Sequence, residues 1–73
     1  MNRKQINTEQ TGLNLWKLLE EKQIPVKVVA KELDVSLVAV YKWLKGESKP
    51  TLEHLVQISQ LLNTKISDII KVS

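Results

Sequence analysis

The sequence predicts an all-α fold of five short helices in one domain. Apolar residues recur at helical spacing from Thr11 to the chain end, and cap-forming residues punctuate that pattern at short intervals. Strand-like alternation is confined to Pro25-Val26-Lys27-Val28-Val29, which runs straight into the helix-favouring Ala30-Lys31-Glu32-Leu33.

Residues 1–10 are polar, carry Arg3 and Lys4, and read as a flexible arm ahead of a single domain over 11–73. The first helix is expected from Thr11 to Lys22, with Leu15, Leu18 and Leu19 on one face. Pro25 is tolerated only in the first turn of a helix, so the second is expected from Pro25 to Leu33, burying Val29, Ala30 and Leu33. Asp34-Val35-Ser36 forms a three-residue link, and the Ser36 hydroxyl is suited to accept a free amide hydrogen of the next turn.

The third helix then runs from Leu37 to Lys45 and stops at Gly46, the residue that best tolerates a left-handed cap. After the polar loop Glu47-Ser48-Lys49-Pro50, Thr51 caps a fourth helix that continues to Leu62. Leu52, Leu55, Val56, Ile58, Leu61 and Leu62 line it, and Glu53 sits in the first turn, where negative charge is favoured. Asn63-Thr64 breaks the pattern, and Ile66 to Lys71 makes a short last helix with Ile69 and Ile70 facing inward.

Composition narrows the function. At 73 residues the chain holds at most one domain, and one this small buries only about 60% of its unfolded surface. The absence of cysteine excludes disulfides and thiol catalysis and fits a reducing, cytoplasmic setting. No apolar run approaches the roughly 18 residues of a membrane span, and the N-terminus has no secretion signal. The single His54 and the eight acidic residues show no metal-ligand or catalytic spacing, so neither an enzyme, a cofactor nor a small-molecule ligand is expected. The net charge of +3 favours an anionic partner only weakly.

Two helices joined by a tight link, the second capped by serine and carrying lysines, describe a helix-turn-helix. In such a unit the first helix braces the second, which lies in the major groove of double-stranded DNA. Ala30 is small enough to let the two helices approach beside the turn, and Val35 and Val40 close the space beneath it.

The stretches "VVAKELDVS", "VAVYKWLKG" and "KPTLEHLVQISQLLN" carry a closer match. Over Gly12 to Ile70 the chain resembles the phage-repressor/Cro-type helix-turn-helix family, also called the XRE family. The resemblance implies a lambda-repressor-like five-helix domain with the helix-turn-helix at helices two and three. It implies base contacts from Ser36, Leu37, Val38, Tyr41 and Lys42. It implies phosphate contacts from Val26, Lys27, Lys45, Lys49 and Thr51, the last through amides of a helix N-terminus, which is an anion site in its own right. It also implies a homodimer through the C-terminal region, with Ile66, Ile69, Ile70 and Val72 as candidates that could equally close the monomer's own core.

The chain departs from the family in several places. Where members often pair an arginine late in helix one with a glutamate before the glycine, this chain has Leu19 and Leu44. Exchanging both members of a buried ion pair for apolar groups is often neutral or stabilising, so these two leucines are expected to touch. Val26 stands where glutamine is common, which removes a side-chain hydrogen bond. Leu37 and Val38 occupy the tip of the reading helix, where apolar side chains contact thymine methyl groups or exclude water but cannot hydrogen-bond base edges.

Three roles for that tip remain open: DNA readout, packing under the turn, or a protein-binding face. Leu13 and Trp16 are also apolar where the family tends to be polar. Trp16 either covers the core against the arm or the last helix, or meets a partner. The preferred expectation is a small dimeric repressor placing residues 37–45 in the major groove. The alternative is a protein-interaction module on the same fold, such as an antirepressor or antitoxin-like subunit.

Overall fold

The structure, a computed structural model, describes residues 5–72. It is all-helical, in the order α1 (Thr8–Lys22), α2 (Val26–Leu33), α3 (Leu37–Leu44), α4 (Leu52–Leu62) and α5 (Ile66–Ile69). Among the described residues there is no strand beyond one isolated antiparallel bridge, Ile6 to Val72.

Four of the helices end in the same way. Gln23, Asp34, Gly46 and Asn63 each take positive φ, between 51° and 76°. In each case the next residue's amide reaches back five positions: Ile24 to Leu19, Val35 to Ala30, Glu47 to Lys42 and Thr64 to Ser59, at 2.9–3.0 Å. This is the Schellman closure, which satisfies the last carbonyls of a helix and reverses the chain within two residues. Ile24 and Val35, the residues just beyond two of these caps, pack their apolar side chains on the core. Gly46 takes the left-handed cap the sequence predicts for it. At Gln23, Asp34 and Asn63 the fold holds residues with side chains in a conformation that favours glycine.

The helix starts are equally local. Ser36 Oγ accepts the Ala39 amide at 3.0 Å and Thr51 Oγ1 accepts the His54 amide at 3.1 Å. Pro25 is the residue before the first turn of α2 rather than its first member, and it supplies no side-chain cap.

The chain ends differ from the sequence expectation. The first helix begins at Thr8, not Thr11, because Asn7 Oδ1 caps it by accepting the Gln10 amide at 3.0 Å. Residues 8–10 therefore belong to the folded domain, and Ile6 and Asn7 are tied to it. The first four positions of the expected arm, with Arg3 and Lys4, lie outside the described residues. The last helix stops at Ile69, not Lys71, and Ile70 is extended. Residues 70–72 turn back along the start of α1. The Asn7 amide donates to the Lys71 carbonyl at 2.6 Å, the Lys71 amide to Thr11 Oγ1 at 3.0 Å, and Asn14 Nδ2 to the Ile69 carbonyl at 3.1 Å. Thr11 is thereby a buried polar side chain with a partner.

One core unites all five helices: Leu15 and Leu19 of α1, Val29, Ala30 and Leu33 of α2, Val40, Trp43 and Leu44 of α3, Leu55, Ile58 and Leu62 of α4, and Ile69 of α5. Leu19 and Leu44 both lie in it, so the apolar exchange at these two positions is a core exchange. Ala30 is buried, as a close crossing beside the turn requires. Leu52 and Val56, two of the apolar residues that line α4, are exposed. The six apolar positions of α4 span more than one face, and Leu55, Ile58 and Leu62 take the buried one.

Candidate DNA-binding surface

α3 packs against both α1 and α2. Val40, Trp43 and Leu44 supply its buried side. With about 100° between successive residues, Leu37, Tyr41, Lys45, Val38 and Lys42 follow one another around the opposite side within about 140°. Each of the five is exposed. Leu37 is 44% and Val38 64% accessible, so packing under the turn does not account for them.

The turn that precedes this helix is closed by backbone hydrogen bonds. Asp34 is left-handed, with φ 55°, and its amide donates to the Lys31 carbonyl at 3.2 Å. Val35 is half-buried beneath the link. Ser36 is exposed, and its oxygen accepts the Ala39 amide as the helix cap, leaving its hydroxyl proton and one lone pair for another partner. The tip of α3 therefore presents two saturated side chains, followed one turn later by a phenol and an ammonium group, and by the Lys45 ammonium a turn beyond.

The expected phosphate-contacting residues flank this helix. Lys27, Lys45, Lys49 and Thr51 are all exposed. Among the described residues no carboxylate is in ion-pair contact with these lysines, so none is neutralised in place. Val26 differs from the expectation: its side chain is partly buried against the core, and only its backbone amide, in the uncapped first turn of α2, is available to an anion. At α4 the Thr51 cap takes up one first-turn amide, and the Glu53 carboxylate in the same turn opposes an incoming anion.

The proposed dimer residues are dispersed. Ile69 has no exposed surface and is a correction to that set: it belongs to the monomer core. Ile66 and Ile70 are partly buried on that core, and Val72 is 44% exposed beside its bridge to Ile6. Trp16 lies on the exposed side of α1. It is 43% exposed and borders a groove with Leu19, Ile24, Pro25 and Val26. His54 is a packing residue, its ring centroid 5.1 Å from that of Trp43. Among the described residues no cluster of potential metal ligands occurs, and no helix is long and apolar enough to cross a membrane.

Two residues that position this surface escaped the sequence reading. Gly12 lies so close to the end of α3 that a β-carbon there would sit 2.5 Å from the Trp43 carbonyl oxygen. Trp43 itself is buried, three residues beyond Val40 on the same face, a spacing that could have revealed it.

The comparisons agree with this architecture. The fold is similar to that of the clp gene regulator ClgR from C. glutamicum, known from a crystal structure. The TM-score is 0.79 at 18% identity, over 89% of this chain and 84% of that one. No curated protein matches the sequence. A family model described as the Cro/C1-type HTH DNA-binding domain matches residues 14–73. With its tight turn, its Ser36-capped third helix and the outward side chains of that helix in place, the chain belongs to the Cro/C1-type helix-turn-helix DNA-binding domain family.

Proposed function

We propose that the protein is a sequence-specific transcriptional regulator, a small repressor that binds DNA as a homodimer and inserts residues 37–45 in the major groove. The observation that carries this reading is the outward face of α3. Tyr41, Lys42 and Lys45 share it with Leu37 and Val38, while Lys27 and Lys49 stand exposed on the flanking segments. Base contacts fall to Ser36, Leu37, Val38, Tyr41 and Lys42. Phosphate contacts fall to the lysines Lys27, Lys45 and Lys49 and to first-turn amides at Val26 and after Thr51.

Four lysines suggest salt-sensitive and modest affinity for one subunit. Two copies on adjacent half-sites multiply it. Val72, with the partly buried Ile66 and Ile70, supplies apolar surface in the C-terminal region for such a pairing.

Fluorescence titration of the protein against its own promoter region at low salt tests the reading. Saturable binding that weakens steeply as salt rises supports it, and no binding at micromolar protein contradicts it.

The exposure of Val38 supports a second reading, in which the same face binds a protein, as in an antirepressor or antitoxin-like subunit. A captured partner that is lost on Val38→Lys but kept on Lys42→Ala would favour that reading over DNA.

A further inference from the structure

We propose that the tip of α3 recognises the C5-methyl group of pyrimidines, so that Leu37 and Val38 make binding depend on thymine as against uracil, and on methylated as against unmethylated cytosine. This rests on the DNA-reading assignment above and specifies what that surface reads.

Beyond the Ser36 hydroxyl, the side chains of the first turn of α3 offer the groove no hydrogen-bonding group. The Ser36 oxygen already accepts the Ala39 amide at 3.0 Å. The next two side chains are saturated hydrocarbon, 44% and 64% exposed. The Tyr41 hydroxyl and the Lys42 ammonium stand a turn further along. An aliphatic side chain at a base edge gains only where it meets apolar surface, and the C5-methyl is the apolar feature of the major groove. Thymine carries that methyl and uracil lacks it. Methylated cytosine carries it at the same ring position and cytosine lacks it. A contact made of dispersion and water exclusion does not distinguish the two methylated bases by their neighbouring polar groups.

Lys42 and Lys45 border these residues on the same outward face. Charge next to the patch favours a polyanion as its occupant over an apolar protein groove.

Burying one methyl group corresponds to about a fourfold change in affinity, and two such contacts to about sixteenfold. The contact is specific to the two aliphatic residues. Val38→Ser should abolish the preference at the base it meets. Lys45→Ala should weaken binding equally to methylated and unmethylated duplexes, because it removes a charge contact only.

The test uses a duplex recovered by selection from random DNA. Each thymine of a half-site is replaced in turn by deoxyuridine, and affinities are read by fluorescence anisotropy. At the position that responds, the base pair is then replaced by one with cytosine and by one with 5-methylcytosine. The expected result is about fourfold weaker binding on loss of the thymine methyl, a similar gain when the cytosine is methylated, and loss of both differences in Val38→Ser at one responding position at least. Equal affinity for thymine and uracil duplexes at every position overturns the proposal while leaving DNA binding intact. So does equal affinity for the two cytosine duplexes. Failure to bind the unmodified duplex overturns both this proposal and the reading beneath it.

Discussion

Gly12 of α1 lies directly against the backbone of Trp43, the residue that anchors the reading helix. A β-carbon at Gly12 would come within 2.5 Å of the Trp43 carbonyl oxygen and 2.7 Å of the Leu44 carbonyl oxygen. Neither obstacle is a flexible side chain that could swing away. Gly12→Ala should therefore force α1 and α3 apart and lower stability by about 2 kcal/mol. For a domain of this size that is a fall in Tm of roughly 8–16 °C, measurable by thermal unfolding. Leu13→Ala, one residue away on the exposed side, should change Tm far less.

The chain's C-terminal segment is held by the side chain of Thr11, whose Oγ1 accepts the Lys71 amide at 3.0 Å in a part-buried position. Thr11→Val keeps the shape and removes the acceptor. The amide is then left without its partner, at a cost of about 1–2 kcal/mol. Hydrogen exchange should show the change most strongly at Lys71. Unaltered protection of that amide would mean that the contact contributes nothing to holding the segment.

Gln23 ends α1 with φ 56°. Glutamine lacks the short polar side chain that lets asparagine and aspartate adopt this conformation at lower cost. Gln23→Gly should stabilise the protein by up to about 1 kcal/mol in urea unfolding, with the slope of the transition unchanged. The gain is limited because glycine also raises the entropy of the unfolded chain.

Lys42 and Lys45 stand on the outward face of α3. If both contact DNA, Lys42→Ala and Lys45→Ala should each weaken binding. A substitution that removes a phosphate contact should lower the slope of log affinity against log salt by about one. Lys17→Ala, an exposed substitution on α1, should leave that slope unchanged. Equal slopes for all three variants would argue against the assignment of the α3 lysines.

The elements around the turn were legible in the sequence because their boundaries are chemical and local. Ser36 and Thr51 cap with their own hydroxyls, and Gly46 closes α3 with the positive φ that glycine favours. The two chain ends were less legible because tertiary contacts fix them. Thr11 and Lys71 meet across 60 positions, Asn14 and Ile69 across 55, and periodicity records neither. Asn7 is a partial exception: a cap residue followed three positions later by glutamine is a recognised start signal, obscured by the polarity around it. On α4 the apolar pattern indicates a helix but not its buried face: Leu52, one of its six apolar residues, is 72% exposed. At the candidate site, the outward placement of residues 37, 38, 41 and 42 follows from helical spacing alone. The partial burial of Val26 depends on how α2 seats against its neighbours, and so does the narrow approach at Gly12.

The central claim is that the outward face of α3 reads a DNA sequence as part of a symmetric pair. Selection of binding sites from random double-stranded DNA tests it most directly. The account predicts a consensus of two inverted half-sites, with centres separated by about one helical turn or a multiple of it. That enrichment should be lost when Val38 and Lys42 are both replaced by alanine in a protein that still folds. Recovery of no consensus, or of the same consensus with the doubly substituted protein, would contradict it.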